Sequence, residues 1–273
     1  MPQDAHNATL VERRAVHEDL AVFRVKYSDH DVPAFEPGQF ATLGLPDPSG
    51  DETSRPGRGP RLVRRAYSIA SPATQTDALD FYIVRVDDGR LTPSLWDVTP
   101  GDTLYLNPKI GGRFTLEGLP TGDAAPTLVM VGTGTGLAPF RSMLLTYGGL
   151  PQAERRWHKF VLLDGCRLAR DLGYHDELSA LAAADERFVY LPTVTREPVD
   201  SGWSGYHGRV NALLEPTAFR DAAGVELDPA SCHVYLCGNP SMIDQAEVDL
   251  EARGFVTRDH RHPDGTLHFE RYW

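Results

Sequence analysis

The sequence predicts two domains: an N-terminal antiparallel β-barrel, then an α/β domain built on a parallel, five-stranded, doubly wound sheet. Three observations carry this. From Thr9 to about Leu119, short segments alternate apolar and polar residues with a period of two, cut by PG, DDG, PGD and GG turns. From Pro126 onward, apolar runs alternate with helical stretches, the pattern of a parallel sheet covered on both faces. Between them, LPTGDAAP (119–126) reads as a short linker, placing the domains at 1–119 and 120–273.

The barrel strands follow in order. In LAVFRVKYS, Phe23, Val25 and Tyr27 fall on one face while Arg24 and Lys26 fall on the other. QFATLGL, RAYSIAS, LDFYIVRV and DTLYLNP continue the series. The stretch LPDPSGDETSRPGRGPRLVRR (45–65) is rich in Pro, Gly and Arg and reads as a mobile loop. In the second half, TLVMV, KFVLLDG, FVYLPTV and HVYLCG are strands buried on both faces. LAPFRSMLLTY, YHDELSALAAA and VNALLEPTAF are the intervening helices. SMIDQAEVDLEARG follows the last strand, with Ile243, Ala246 and Leu250 on one helical face.

A chain of 273 residues with 41% hydrophobic and 24% charged residues suits two packed domains. A net charge of −11 argues against nucleic acid or an anionic membrane surface as partner. No apolar run approaches the roughly 20 residues of a membrane span, and MPQDAHNATL lacks the pattern of an export signal. Cys166, Cys232 and Cys237 form no C-x-x-C pair, so neither a disulfide framework nor a metal site is expected. A cytoplasmic monomer is the resulting expectation.

Five stretches and three separate arginines carry chemistry. Arg65-Ala66-Tyr67-Ser68 places a guanidinium, a phenol and a hydroxyl on one strand, a set able to hold a flavin nucleotide. Arg pairs with pyrophosphate oxygens, the Tyr ring lies on the isoalloxazine, and Ser bonds its polar edge. An exposed strand covering a barrel side would read the same. Asp-Asp-Gly-Arg90-Leu91-Thr92 presents backbone N–H groups before a helical turn, an anion site in outline. MVGTGTGLAPF (130–140) ends a strand in alternate glycines at Gly132, Gly134 and Gly136, with Thr133 and Thr135 between. It lacks the Rossmann spacing, because Leu occupies position 137.

Arg167, Arg196 and Arg209 follow the C-terminal ends of predicted strands, the edge where ligands bind an open parallel sheet. Three cations there suit the 2′-phosphate of NADP; surface salt bridges are the alternative. Asp164, in the second strand, is the kind of acid NAD would want for its ribose. Cys237, in LCGNP, is expected to face the cleft and contact nicotinamide without acting as a nucleophile, no base being placed to activate it. The chain ends HFERYW, and stacking of Tyr272 and Trp273 on a flat heterocycle would account for two terminal aromatics; packing on the barrel would also do so.

RAYS, GRLTPSL, GTGTGLAPF, LCGNPSM and the aromatic end, in this order, resemble the bacterial ferredoxin/flavodoxin–NADP⁺ reductase family over nearly the whole chain. The resemblance implies FAD and NADP(H) as cofactors, with an FAD-binding first domain and an NADP-binding second one. It implies that Arg65, Ala66, Tyr67 and Ser68 bind FAD, with Tyr82, Ile83, Val84, Arg90, Leu91 and Thr92 lining the flavin and its pyrophosphate. Thr133, Gly134 and Thr135 would face both nucleotides, and Cys166, Arg167, Thr195, Arg196 and Arg209 the adenosine phosphate side. Asn239, Pro240 and Ser241 would lie on the nicotinamide side, and Tyr272 and Trp273 would cover the flavin. Tyr67, Ser68, Cys237 and Trp273 would border the reacting rings.

The implied reaction is hydride transfer between NADPH C4 and flavin N5, then one-electron exchange with an acidic ferredoxin or flavodoxin. The loop 45–64 departs from the family in length and in its arginines Arg55, Arg58, Arg61 and Arg64, which suit docking of such a carrier. Other readings are a flavin-binding sensor without turnover, a reductase serving an oxygenase through a separate ferredoxin, and a free-flavin reductase.

Overall fold

The computed structural model describes residues 6–48 and 61–272. It divides into two compact units, residues 1–115 and 116–273. In the first, strands β1 (Ala8–His17), β2 (Leu20–Tyr27), β3 (Phe40–Pro46), β4 (Leu62–Ser68), β5 (Leu79–Val84) and β6 (Thr103–Leu106) form one antiparallel sheet in the order β4-β3-β6-β1-β2-β5. The two edges meet where Ile69, just past β4, bridges Phe81 in β5, and Ala70 N–H donates to the Asp80 carbonyl. That contact closes the sheet into a barrel and removes its exposed edges.

The period-two reading of β2 holds: Phe23, Val25 and Tyr27 are buried, while Lys26 is exposed. Leu10, Leu43, Phe81, Ile83 and Leu106 complete the interior. A short helix, α1 (Thr92–Asp97), adds Leu95 and packs Trp96 on Phe23, the rings 5.2 Å apart. β1 is absent from the sequence reading because its outward positions, Glu12 and Arg14 among them, hide the strand in a charged run. The loop assigned to 45–65 is strand at both ends: β3 runs to Pro46 and β4 begins at Leu62. Val63 is buried in the barrel, and antiparallel pairing of β3 with β4 overrides the arginine-rich composition.

In the second unit, β7 (Thr127–Thr133), β8 (Lys159–Cys166), β9 (Phe188–Val194), β10 (Tyr206–His207), β11 (Cys232–Gly238) and β12 (Leu267–Arg271) form a parallel sheet in the order β10-β9-β8-β7-β11-β12. There are six strands where the sequence predicts five. The apolar runs named above account for β7, β8, β9 and β11; β10, two exposed residues, has no such run, and β12 lies in the stretch that reads as an aromatic tail. On one sheet face, Val129, Val161, Val234 and Leu236 pack against Phe219 of α4 (Pro216–Ala223) and Ile243, Ala246 and Leu250 of α5 (Pro240–Glu251). α2 (Leu137–Tyr147) and α3 (His175–Ala184) pack on β7 and β9, and Arg141 joins them through a two-point bond to Glu177 at 2.8 and 2.7 Å. The stretch 119–126 is fixed to this unit: Gly122 N–H donates to the Arg155 carbonyl, and Gln152 to Asp123.

Candidate functional site

The strand order reverses direction at β7: β8 and β9 lie to one side, β11 and β12 to the other. An open sheet splays its loops at that point and leaves room for a ligand beyond the carboxyl ends of the strands. Two turns meet there. A Cβ on Gly136 would lie 2.3 Å from the Cys237 carbonyl oxygen, and one on Gly238 would lie 2.4 Å from Thr133 Oγ1. Gly238 also has φ +121°, which side chains rarely adopt. Glycine at both positions therefore lets backbone meet backbone, and Asn239 N–H donates to Thr133 Oγ1 at 2.9 Å to fasten the contact. Beside Gly134 the corresponding space is open.

Several expected ligand contacts are already engaged within this arrangement. The Asn239 side chain accepts from Ser241 and Met242 N–H, capping α5 with Pro240 at its first position. Burial, with Glu270 nearby, pushes the Cys237 thiol well above its ordinary range, against a hydrogen bond with Tyr272. Cys237 is thus a neutral thiol at physiological pH, in keeping with a role other than nucleophile. Cys166 is likewise held up, chiefly by burial and by Asp164 and Asp171, while a backbone hydrogen bond to Gly134 links the end of β8 to the glycine turn. Tyr272 N–H reaches the Gly238 carbonyl, so the chain end continues the β11–β12 register past the last strand residue.

The structure brings two of the three arginines together. Pairing of β8 with β9 continues beyond the strands: Thr195 N–H donates to the Cys166 carbonyl and Arg196 N–H to the Arg167 carbonyl at 2.8 Å. Gly208 N–H donates to the Val194 carbonyl, which carries the next segment to Arg209 at the same sheet edge. All three arginines are exposed. Asp164 is different. It is buried beneath this edge, one carboxylate oxygen accepting from Tyr190 OH at 3.0 Å and the other having no hydrogen-bond partner among the described residues. Burial pushes its carboxyl up to about 7, against the bond from Tyr190. An acid so placed presents nothing to a ribose hydroxyl.

In the barrel unit, Arg65 and Ala66 are exposed, Tyr67 is half-buried and Ser68 is buried along β4. Burial holds the Tyr67 phenol above its ordinary value, with Arg65 pulling the other way. Tyr82 and Ile83 are buried on β5, and Val84 ends it. Arg90 pairs with Asp47 at 2.9 Å. Leu91 is a core residue, and Thr92 Oγ1 is spent on its own loop, bonding Val86 N–H and its carbonyl at 3.0 Å. Arg55, Arg58 and Trp273 lie outside the described residues. What the sequence reading missed is the mutual fit of Gly136 and Gly238; its signal is a strand ending in a small turn occurring twice, as GTGTG and as CGN.

Residues 130–247 match the oxidoreductase NAD-binding domain family. A ferredoxin–NADP reductase A of Sorangium cellulosum is 36% identical over 86% of this chain and 79% of its own length. Its reductase B is 35% identical over 97% and 96%. The chain belongs to the ferredoxin–NADP reductase family. Among solved structures, the ferredoxin–NADP⁺ reductase of Neisseria gonorrhoeae with bound FAD and NADP is 26% identical, with a TM-score of 0.81 over 99% of this chain and all of that one. The reductase fold thus accounts for both units, the antiparallel barrel and the parallel sheet with its helices. Among the described residues of this reductase no helix is long and apolar enough to cross a membrane.

Proposed function

We propose that the protein is an FAD-dependent reductase that moves electrons between NADP(H) and a one-electron carrier protein, ferredoxin or flavodoxin. The observation that carries this is the glycine-lined switch point with exposed arginines at the adjoining strand ends, in a chain 36% identical to a ferredoxin–NADP reductase. The residues present fit a dinucleotide: the turns at Gly136 and Gly238 close on each other while the space beside Gly134 stays open. Thr133, Gly134 and Thr135 would hold the pyrophosphate side of NADP(H), and Arg167, Arg196 and Arg209 its 2′-phosphate. Arg65, Tyr67 and Ser68 would hold FAD, the phenol staying protonated as a hydrogen-bond donor. Bound FAD supplies the exchange between a hydride donor and one-electron partners. The chain's own contribution is binding and orientation; Cys237, expected to face the ligand, is instead fully buried, so its uncharged thiol is not presented at this edge.

The purified protein is expected to be yellow. NADPH should bleach its visible flavin bands near stoichiometric addition, whereas NADH should need a large excess. A colourless protein that takes up no FAD, or equal bleaching by both nucleotides, counts against this assignment.

A further inference from the structure

Beyond the arginines themselves, the loop that carries Arg167 is tied to the strand end that carries Arg196. Residues Ala169–Asp171 form a single 3-10 turn just after β8. Its first N–H, on Ala169, donates to a Glu197 carboxylate oxygen at 2.6 Å, across 28 residues of sequence. Within the turn, Leu168 N–H donates to Asp171 Oδ2 at 3.0 Å. Below it, Arg196 N–H donates to the Arg167 carbonyl at 2.8 Å. The two segments are therefore pinned twice, once by backbone beside the arginines and once by the half-buried carboxylate that directly follows Arg196. Leu172 and Ala169 pack with Cys166, Val194 and Trp203 beneath the turn, which gives the pin a firm base.

We propose that Glu197 is a positioning residue for recognition of the nicotinamide dinucleotide's 2′-phosphate: it fixes the Arg167 loop so that Arg167 and Arg196 present their guanidinium groups together. This rests on the proposed reading of those arginines as the phosphate site. An anion next to a dianion site would by charge alone weaken phosphate binding, so neutralising it should help. The hydrogen bond predicts the opposite for any variant that loses the acceptor. A charge-assisted bond to backbone N–H is strong enough for its loss to release the turn.

Titration calorimetry with 2′,5′-ADP and 5′-AMP separates the phosphate from the rest of the nucleotide. Glu197→Ala should weaken 2′,5′-ADP binding about tenfold and leave 5′-AMP unchanged. Glu197→Gln keeps an acceptor without the charge and should bind 2′,5′-ADP as well as the parent does, or better. Ala169→Pro removes the donor from the other side. Proline is tolerated at the first position of a helical turn, and Leu168 before it is already extended at φ −127°, ψ 157°. It should reproduce the Glu197→Ala loss, so a poorly folding Glu197→Ala would leave the idea testable. Unchanged 2′,5′-ADP affinity in Ala169→Pro, or parallel loss of both nucleotides, overturns the proposal. Arg167→Ala is the control: if it leaves 2′,5′-ADP affinity intact, the phosphate-site reading itself has failed, whereas a loss there with none in Glu197→Ala and Ala169→Pro defeats the Glu197 role alone.

Discussion

Asp164 shows how much one residue's identity leaves open. In the sequence it is an acid at the end of the second parallel strand, where an NAD-binding protein would place its ribose ligand. In the fold it shares strand parity with Phe160 and Leu162, both fully buried, and its side chain accepts a hydrogen bond from Tyr190. The side-chain direction, fixed by pairing of β8 with β7 and β9, was not legible from the residue alone. With its carboxyl pushed up to about 7, the native chain holds this proton more tightly than the unfolded chain, where a carboxyl titrates near 3.9. Asp164 therefore leaves stability intact below about pH 4, and stability falls as pH rises toward 7, by an upper limit of about 4 kcal/mol. Asp164→Asn removes that slope. Urea unfolding of the holoprotein should find the variant the more stable by a few kcal/mol at pH 8 and level with the parent near pH 4.5. Identical differences at both pH values would mean that Asp164 does not titrate in this window.

At the level of elements, two turns built from unrelated sequence, after β7 and after β11, fit against each other only because both lack a side chain at one point. Gly136→Ala puts a methyl group 2.3 Å from a backbone carbonyl oxygen, which no flexible side chain can relieve. The turns must part, at about 1–3 kcal/mol in stability and on the order of a hundredfold in kcat/KM for NADPH. Gly149→Ala, whose new methyl group meets open space just past α2, is the matched control and should change neither quantity. Kinetics and thermal unfolding of the two variants check the contrast; similar behaviour of both would show that the contact is not needed. The elements themselves were largely legible. Period-two alternation found β2 and the strands after it, and apolar runs found β7, β8, β9 and β11, because burial on one or both faces writes itself into composition. β1, the start of β4, β10 and β12 were missed because cross-strand pairing rather than an apolar pattern makes them strands. The candidate site is written in the sequence as a set of motifs, and the roles of its residues stay a proposal. The register that sets Arg167 beside Arg196 is not written there, since neighbours 29 residues apart are chosen by the ladder between β8 and β9.

For the whole molecule, charge is the property that bears on a protein partner. The chain carries −11 overall, yet from Glu52 to Asp77 there are five arginines and no acid between. Of these, Arg61, Arg64 and Arg65 are exposed at the start of β4. Arg64 is partly committed, its guanidinium lying 4.2 Å over the Tyr105 ring, so replacing it would disturb packing as well as charge. Among the described residues Arg61 faces a distant carboxylate, Asp47, at 4.0 Å, and Asp47 is closer to Arg90. If this run steers an acidic carrier, its contribution is to the encounter rate and fades with salt, because fields from exposed charges are cut off within about 10 Å at 0.1 M ionic strength. Replacing Arg55, Arg58 and Arg61 together by Gln should lower the second-order rate with ferredoxin about tenfold at low ionic strength. The two proteins should converge by about 0.5 M salt, where the screening length is a few ångströms. Turnover with an uncharged quinone should be the same in both at every salt concentration, since no field guides a neutral acceptor. Equal ferredoxin rates at low salt would assign the arginine run no part in docking, and a deficit that persists at high salt would point to direct contact in place of steering.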